Sequence, residues 1–209
     1  MAFTLTMARR ALEIFGEILE EKKGYLTELD SAIGDADHGV NMNRGSKRVL
    51  EKIAGKSYDD FGGLYRDVAM TVMSAVGGSA GPLYGTFFMK MGQRLSGKRE
   101  VPVAEFAEAM RDGLAGLMTL GKSAPGDKTM IDALAPAVEA LAAFAQEGDD
   151  AVWIASAQAA ERGMRDTIPL LAKRGRGSYL GERSIGHQDP GATSSSYLVD
   201  SFRDAAQEG

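Results

Sequence analysis

Asp30, Asp35 and Asp37 fall within the stretch Asp30-Ser-Ala-Ile-Gly-Asp35-Ala-Asp37-His38-Gly39, which contains no lysine or arginine. Two carboxylates about 4 Å apart repel by roughly 4 kcal/mol at an effective dielectric near 20. Such a group either splays into water or closes on cations. The available donors are oxygens, because the chain has no cysteine and its only histidines are at positions 38 and 187. Magnesium, calcium or manganese is therefore favoured over zinc. Magnesium keeps coordination positions for water and phosphate, so the pattern predicts a clamp that holds a phosphorylated ligand through the metal. Helix capping is the simpler alternative. A cap uses one aspartate and contributes about 1 kcal/mol, which leaves two carboxylates unexplained.

Three glycine-bearing joints are candidates for the rest of the site. Gly77-Gly-Ser79-Ala80-Gly-Pro82 leads into a helical pattern, whose free N–H groups and positive dipole end suit a phosphate. A plain turn between packed helices is the alternative, and the Gly-x-x-x-x-Gly-Lys-Ser/Thr pattern of a Walker loop is absent. Gly126-Asp127-Lys128-Thr129 resembles only the end of such a loop and follows Pro125 rather than a strand, so Asp127 is expected to cap a helix. Gly121 and Met130 on either side are candidates to line an apolar slot for a base. From Lys173 to Asp189, 17 residues rich in Gly, Arg and Ser predict a functional loop, a lid. Its Arg174, Arg176 and Arg183 carry forked donors that match phosphate oxygens. Arg176 stands between Gly175 and Gly177, where a pliant backbone lets a cation swing. Asp189-Pro190-Gly191 ends the lid at another helix start. His38 is a candidate donor to phosphate or base, and equally a structural histidine.

These segments are punctuation in a helical pattern. Apolar residues at 8, 11, 12, 15, 18 and 19 have the three-four spacing of an amphipathic helix that Gly24 closes. The period predicts further helices over 38–53, 59–76 and 82–95, then one from Pro102 to Gly121. A sixth, capped by Asp127, carries Ile131, Leu134, Val138, Leu141 and Ala145. A seventh follows Gly148, runs to about Lys173 and bends at Pro169, and an eighth opens at Asp189-Pro190. No alternating strand pattern stands out, so the expectation is one all-α domain spanning residues 1–209. Val68 to Met89 contains no ionisable residue except Tyr84, but Gly77, Gly78, Gly81 and Pro82 would break a membrane-spanning helix there.

A net charge of −5 with 25% charged residues argues against general nucleic-acid binding. The absence of cysteine excludes disulfides and is compatible with a reducing cytoplasm. Met1 to Ala8 places no basic residue ahead of its short apolar stretch, so a signal peptide is not expected. A cytoplasmic location follows as an expectation, with neither membrane nor nucleic acid as partner.

Taken in order, Leu29-Asp30, Ile33-Gly-Asp35-Ala-Asp37-His38-Gly39, Gly77-Gly-Ser79-Ala-Gly-Pro82, Gly126-Asp127-Lys128-Thr129 and Gly177 through Asp189-Pro190-Gly191-Ala-Thr closely resemble the nucleotide-binding L subunit of dihydroxyacetone kinases, over nearly the full chain. The resemblance implies an eight-helix antiparallel up-and-down barrel with a nucleotide site at one end. It implies that Asp30, Asp35 and Asp37 hold two Mg²⁺ ions. His38, Gly39, Val40, Asn41, Ser79, Ala80, Gly121, Met130, Arg176, Asp189, Pro190 and Gly191 become the nucleotide's neighbours, with Arg176 also acting in catalysis.

In the branch that depends on a phosphotransferase system, ADP stays bound as a cofactor. A phosphohistidine-bearing M-type protein converts it transiently to ATP, and the phosphoryl group passes to dihydroxyacetone on a separate K subunit. The resemblance leaves open an ATP-dependent kinase subunit for dihydroxyacetone, erythrulose or another small ketose, and a nucleotide-sensing module that docks on a transcription regulator. A second copy of the chain is a further candidate partner. Fatty-acid kinases share the acidic cluster but are disfavoured by the stretch Gly181-Glu-Arg-Ser-Ile-Gly-His187.

Overall fold

The computed structural model describes residues 2–144 and 151–209. Nine α-helices lie among them: α1 (Leu5–Glu21), α2 (Lys23–Ile33), α3 (His38–Ile53), α4 (Phe61–Ala75), α5 (Ala80–Arg94), α6 (Val103–Gly121), α7 (Ile131–Phe144), α8 (Ala151–Asp166) and α9 (Pro190–Glu208). A 3-10 helix covers Arg176–Ser184, and two strands, β1 (Ala2–Thr4) and β2 (Glu100–Pro102), pair antiparallel. Helices adjacent in sequence pack on one another from α2 to α9, and α9 returns to lie against α1. The apolar stripes meet in one core, including Leu12, Leu19, Phe87, Leu134 and Phe202.

The predominantly helical fold agrees with the sequence pattern, with four differences. First, the chain does not end its first helix at Gly24. After a joint at Lys22 it continues as α2, so Asp30 belongs to the last turn of a helix. Gly24 is tolerated inside α2 because it faces open space, with nothing near the position of an added Cβ.

Second, there is a strand pair. Three residues on each side are too few to display an alternating pattern, yet Phe3 opposite Val101 inserts its ring among Phe61, Phe106, Trp153 and Phe202. Third, the seventh predicted helix ends at Asp166 rather than bending at Pro169, and residues 167–170 form a turn. Ala145 and Gly148 lie outside the described residues. Fourth, Asp127 does not cap α7. Asp132 accepts from the Thr129 amide at 2.7 Å and the Gly126 amide at 2.5 Å, while Asp127 turns back to the Ala124 amide at 3.0 Å.

α7 and α8 meet through a device that the sequence conceals. Pro136 lies inside α7 and has no N–H to give to the carbonyl of Asp132 one turn earlier. Gly163 of α8 packs against that carbonyl, where an added Cβ would stand 2.0 Å from the oxygen. Elsewhere Gly→Ala inside a helix gains up to about 1 kcal/mol. Here overpacking, worth about 1–3 kcal/mol, reverses the sign. Gly163→Ala is therefore expected to lower Tm by roughly 2–8 °C in calorimetry; an unchanged or raised Tm would mean that the helices are not in such close contact.

Candidate functional site

The loop from Gly34 to Asp37 joins α2 to α3, and one oxygen from each of Asp30, Asp35 and Asp37 can be chosen so that all lie within 4.8 Å of one another. Asp30 is buried, at 8% exposure. Its Oδ2 accepts from the backbone amides of Asp37 (2.8 Å) and His38 (3.1 Å). Asp30 thus caps α3 from the preceding helix, satisfying N–H groups that α3 leaves unpaired. The capping alternative holds for one carboxylate of the three. Asp35 and Asp37 point outward, and Asp37, although it stands at the N-cap position, makes no side-chain cap bond.

The turn that gathers the acids is made at Ala36, whose φ of 61° is left-handed and costs a non-glycine residue about 1–2 kcal/mol. Gly34 has a different task, since a Cβ there would sit 2.0 Å from Asp30 Oδ1. Strain and close packing both converge on the placement of these carboxylates. All-oxygen donors with one member locked by two N–H bonds and two lining the cleft suit a hard divalent cation.

The acids form one side of a cleft of about 250 Å³. Ser79 and Ala80 line it where α5 begins, and the N-cap residue Ser79 makes no side-chain cap bond, so the first amides of α5 are available to an anion. Ile33, Leu83, Leu117, Met130 and Ile131 supply apolar wall, with Gly121 at the end of α6 beside them. Asn41, Arg174, Arg176, Asp189, Pro190 and Gly191 complete the rim. Arg176 Nη2 lies 2.9 Å from Asp35 Oδ2, a largely exposed pair of the kind that contributes little to stability. It does place the guanidinium beside the acids.

Of the nucleotide neighbours implied by the resemblance, His38, Asn41, Ser79, Ala80, Gly121, Met130, Arg176, Asp189, Pro190 and Gly191 surround one cleft. Gly39 and Val40 do not line it. Gly39 faces α2, where a Cβ would meet the Lys23 carbonyl at 2.1 Å, and Val40 is exposed on the outer face of α3. Arg183 also lies away from the cleft, whereas Arg174 lines it and sits 3.6 Å from Asp127.

The sequence also left residues unassigned beneath the floor. His38 Nε2 is 2.9 Å from Ser194 Oγ, which lies 2.8 Å from the Tyr84 hydroxyl, itself 3.0 Å from Ser195 Oγ. Burial pushes the His38 pKa down, against the opposing pull of Asp30 and Asp37. The ring is held by α9 through Ser194, a constraint on its position at the cleft wall. Tyr84 was visible as the sole ionisable group in its apolar run, but its partners are 110 and 111 residues away. Lys128 is the other omission, buried at 1% exposure among four carbonyl oxygens.

The predicted lid is folded rather than structureless. Its stems are tied together by Gly186 N to Ile168 O (2.8 Å), Ala172 N to Ser184 Oγ (2.9 Å) and Asp189 N to Thr167 Oγ1 (3.0 Å). The 3-10 helix carries Arg176 between those stems.

The DAK2 domain family matches residues 32–204, and the chain belongs to that family. It is 41% identical over the whole length of both chains to the ADP-binding subunit DhaL of the PEP-dependent dihydroxyacetone kinase of Escherichia coli K12. It is 38% identical to the corresponding PTS-dependent subunit of Lactococcus lactis, covering 90% of this chain and 91% of the relative. Among solved structures, the dihydroxyacetone kinase of C. freundii, determined with AMP-PNP and Mg²⁺, superposes with a TM-score of 0.73 at 24% identity. That match covers 96% of this chain but 33% of the C. freundii chain. The resemblance seen in the motifs is thus borne out at the level of family and fold. No helix among the described residues is long and apolar enough to cross a membrane.

Asp189 gives the site a pH signature. It caps α9 through the Ala192 amide (2.6 Å), and burial raises its pKa from 3.8 to about 7. Between those values the unfolded chain has released the proton that the folded chain retains, so stability falls as pH rises from about 4 to about 7. Asp189→Asn keeps the cap and removes this titration. In urea unfolding with EDTA, the variant should gain on the wild type between pH 4 and pH 8 by on the order of 2–4 kcal/mol. A gap independent of pH would show that Asp189 titrates normally.

Proposed function

We propose that this chain is the ADP-binding subunit of a dihydroxyacetone kinase driven by a phosphoprotein, with ADP held as a cofactor and converted transiently to ATP. The observation that carries the reading is the carboxylate trio, with Arg176 beside it, on the rim of a cleft whose other rim is an uncapped helix start. The full-length similarity to ADP-binding subunits supports it. In this reading the helices form the eight-member up-and-down barrel that the family resemblance implies, α1 and α2 counting as one bent member.

Asp30, Asp35 and Asp37 would hold two Mg²⁺ ions, which when bound neutralise charge on the phosphate oxygens. The free amides of α5 would receive phosphate oxygens. Arg176, already beside Asp35, would add forked donors over the transferring group. Ile33, Leu83, Leu117 and Met130 would shield the base from water, while Gly39 and Val40 stand outside the lining of the cleft, at the start of the helix that carries His38 and Asn41. Positioning and preorganised charge would supply most of the rate. No nucleophile or general base is needed here, because dihydroxyacetone and its proton acceptor would reside on the K subunit. A phosphohistidine of the M-type donor would approach the same open mouth.

Protein purified without added nucleotide should release stoichiometric ADP on denaturation. The Asp35→Asn variant should emerge empty with unchanged helical circular dichroism. Empty wild-type protein that turns over free ATP would instead support the ATP-dependent branch. In assays reconstituted with the K subunit and the donor, Arg176→Ala should slow transfer by roughly 10²–10³-fold while weakening ADP binding far less. Equal loss of both would reduce Arg176 to a clamp.

A further inference from the structure

The buried cation at the base of the lid has no part in the scheme above. Lys128 has a left-handed φ of 62° and leaves the loop before α7 to run inward. Its ammonium donates to the carbonyls of Thr167 (2.8 Å), Leu170 (3.1 Å) and Ile168 (3.4 Å) on the stem entering the lid, and to the carbonyl of His187 on the stem leaving it. An ammonium has only three protons, so four oxygens share them. Asp127, next in the chain, grips the entering stem from outside. Its carboxylate lies 3.4 Å from Lys173 Nζ and 3.6 Å from Arg174 Nε, and its carbonyl accepts from Lys173 N at 3.1 Å.

Burial works against Asp127's charge, but the Ala124 amide, Lys173 and Arg174 hold its carboxyl below the usual carboxylate range. Desolvation draws the Lys128 pKa down, and the Asp189 carboxyl opposes it. A desolvated cation whose hydrogen bonds all go to backbone carbonyls is costly as packing alone and useful as a fastener.

The geometry points to Lys128 as a positioning residue: its ammonium joins the two stems of the lid and so sets where Arg176 stands over the cleft. The consequence for ligand rests on the nucleotide reading given above, whereas the fastening itself does not. Removing the charge takes a shared donor from four carbonyls, of which those of Thr167 and Ile168 keep a backbone amide each, and lets the segment 173–189 open, so bound ADP leaves faster.

Glycine suits φ 62° without strain, which makes Lys128→Gly a clean deletion of the side chain. In nucleotide-free protein, amide exchange across 173–189 should accelerate in this variant while α4 and α5 stay protected. Release of a fluorescent ADP analogue should speed up by roughly 10–100-fold. n-Butylammonium should slow both, and n-butanol should not. Lys128→Met, which retains the stem and loses the charge, should resemble the glycine variant and provides the reading if the latter fails to fold.

Lid exchange at the wild-type rate in a folded variant overturns the fastening. Rescue by butanol as complete as by butylammonium overturns the role of charge, and collapse of both variants makes Lys128 a fold-wide requirement instead. A loosened lid with unchanged release overturns the link to Arg176. Loosening in a protein whose wild type binds no ADP sinks the nucleotide reading and leaves the fastening standing.

Discussion

Mutual repulsion of three carboxylates is the constraint to which much of this end of the molecule answers. Bringing their oxygens within 4.8 Å of one another sets like charges together, at a cost that water and the nearby Arg176 reduce. The structure meets that cost by dividing the labour. Asp30 is buried and locked by the two amides that open α3, so its negative charge also sits favourably at a helix N-terminus. Asp35 and Asp37 stay in water, and Arg176 leans on Asp35. Ala36 takes the left-handed turn that points them together. The caps, the left-handed turn and the Arg176 contact hold the carboxylates through the chain's own bonds, which is the kind of preorganised charge a phosphoryl-transfer site uses.

A helical bundle is well suited to such a site because it delivers helix ends to one face. The end of α2 and the starts of α3, α5 and α9 meet around the cleft, with the end of α6 closing it. Each start contributes amides, and each is treated differently. α3 is capped from α2, α9 is capped by its own Asp189, and α5 has no side-chain cap. Below them the chain His38, Ser194, Tyr84, Ser195 ties α3, α5 and α9 together through buried hydroxyls. Satisfied polar networks of this kind rigidify a core and fix side-chain orientation.

The lid closes the picture by opposing stiffness to exposure. Its tip, with Tyr179 at 87% exposure, is open to solvent, while its stems are stitched by backbone and hydroxyl bonds and fastened by Asp127 and Lys128. Holding a nucleotide through repeated cycles, as proposed, calls for a cover whose tip can meet a partner and whose base does not drift.

Much of the site was legible in residue types and spacing. Three aspartates without a cation, a glycine-rich turn before a helix, and arginines in a glycine-flanked segment name their own chemistry, because charge and backbone freedom are local properties. The amphipathic period located most helices for the same reason, an apolar face being written every three or four residues. Tertiary structure decided whatever depended on distant neighbours. It placed Gly39 against α2 rather than in the cleft, and turned Val40 outward. It gave Lys128 carbonyl partners 39 to 59 residues away, and gave Tyr84 its hydroxyl partners on α9. It also showed Pro136 and Gly163 to be one packing contact and not two interruptions. Sequence specifies which groups must be satisfied, and only the folded chain determines by whom, since a buried donor or acceptor accepts any partner that packing brings within about 3 Å.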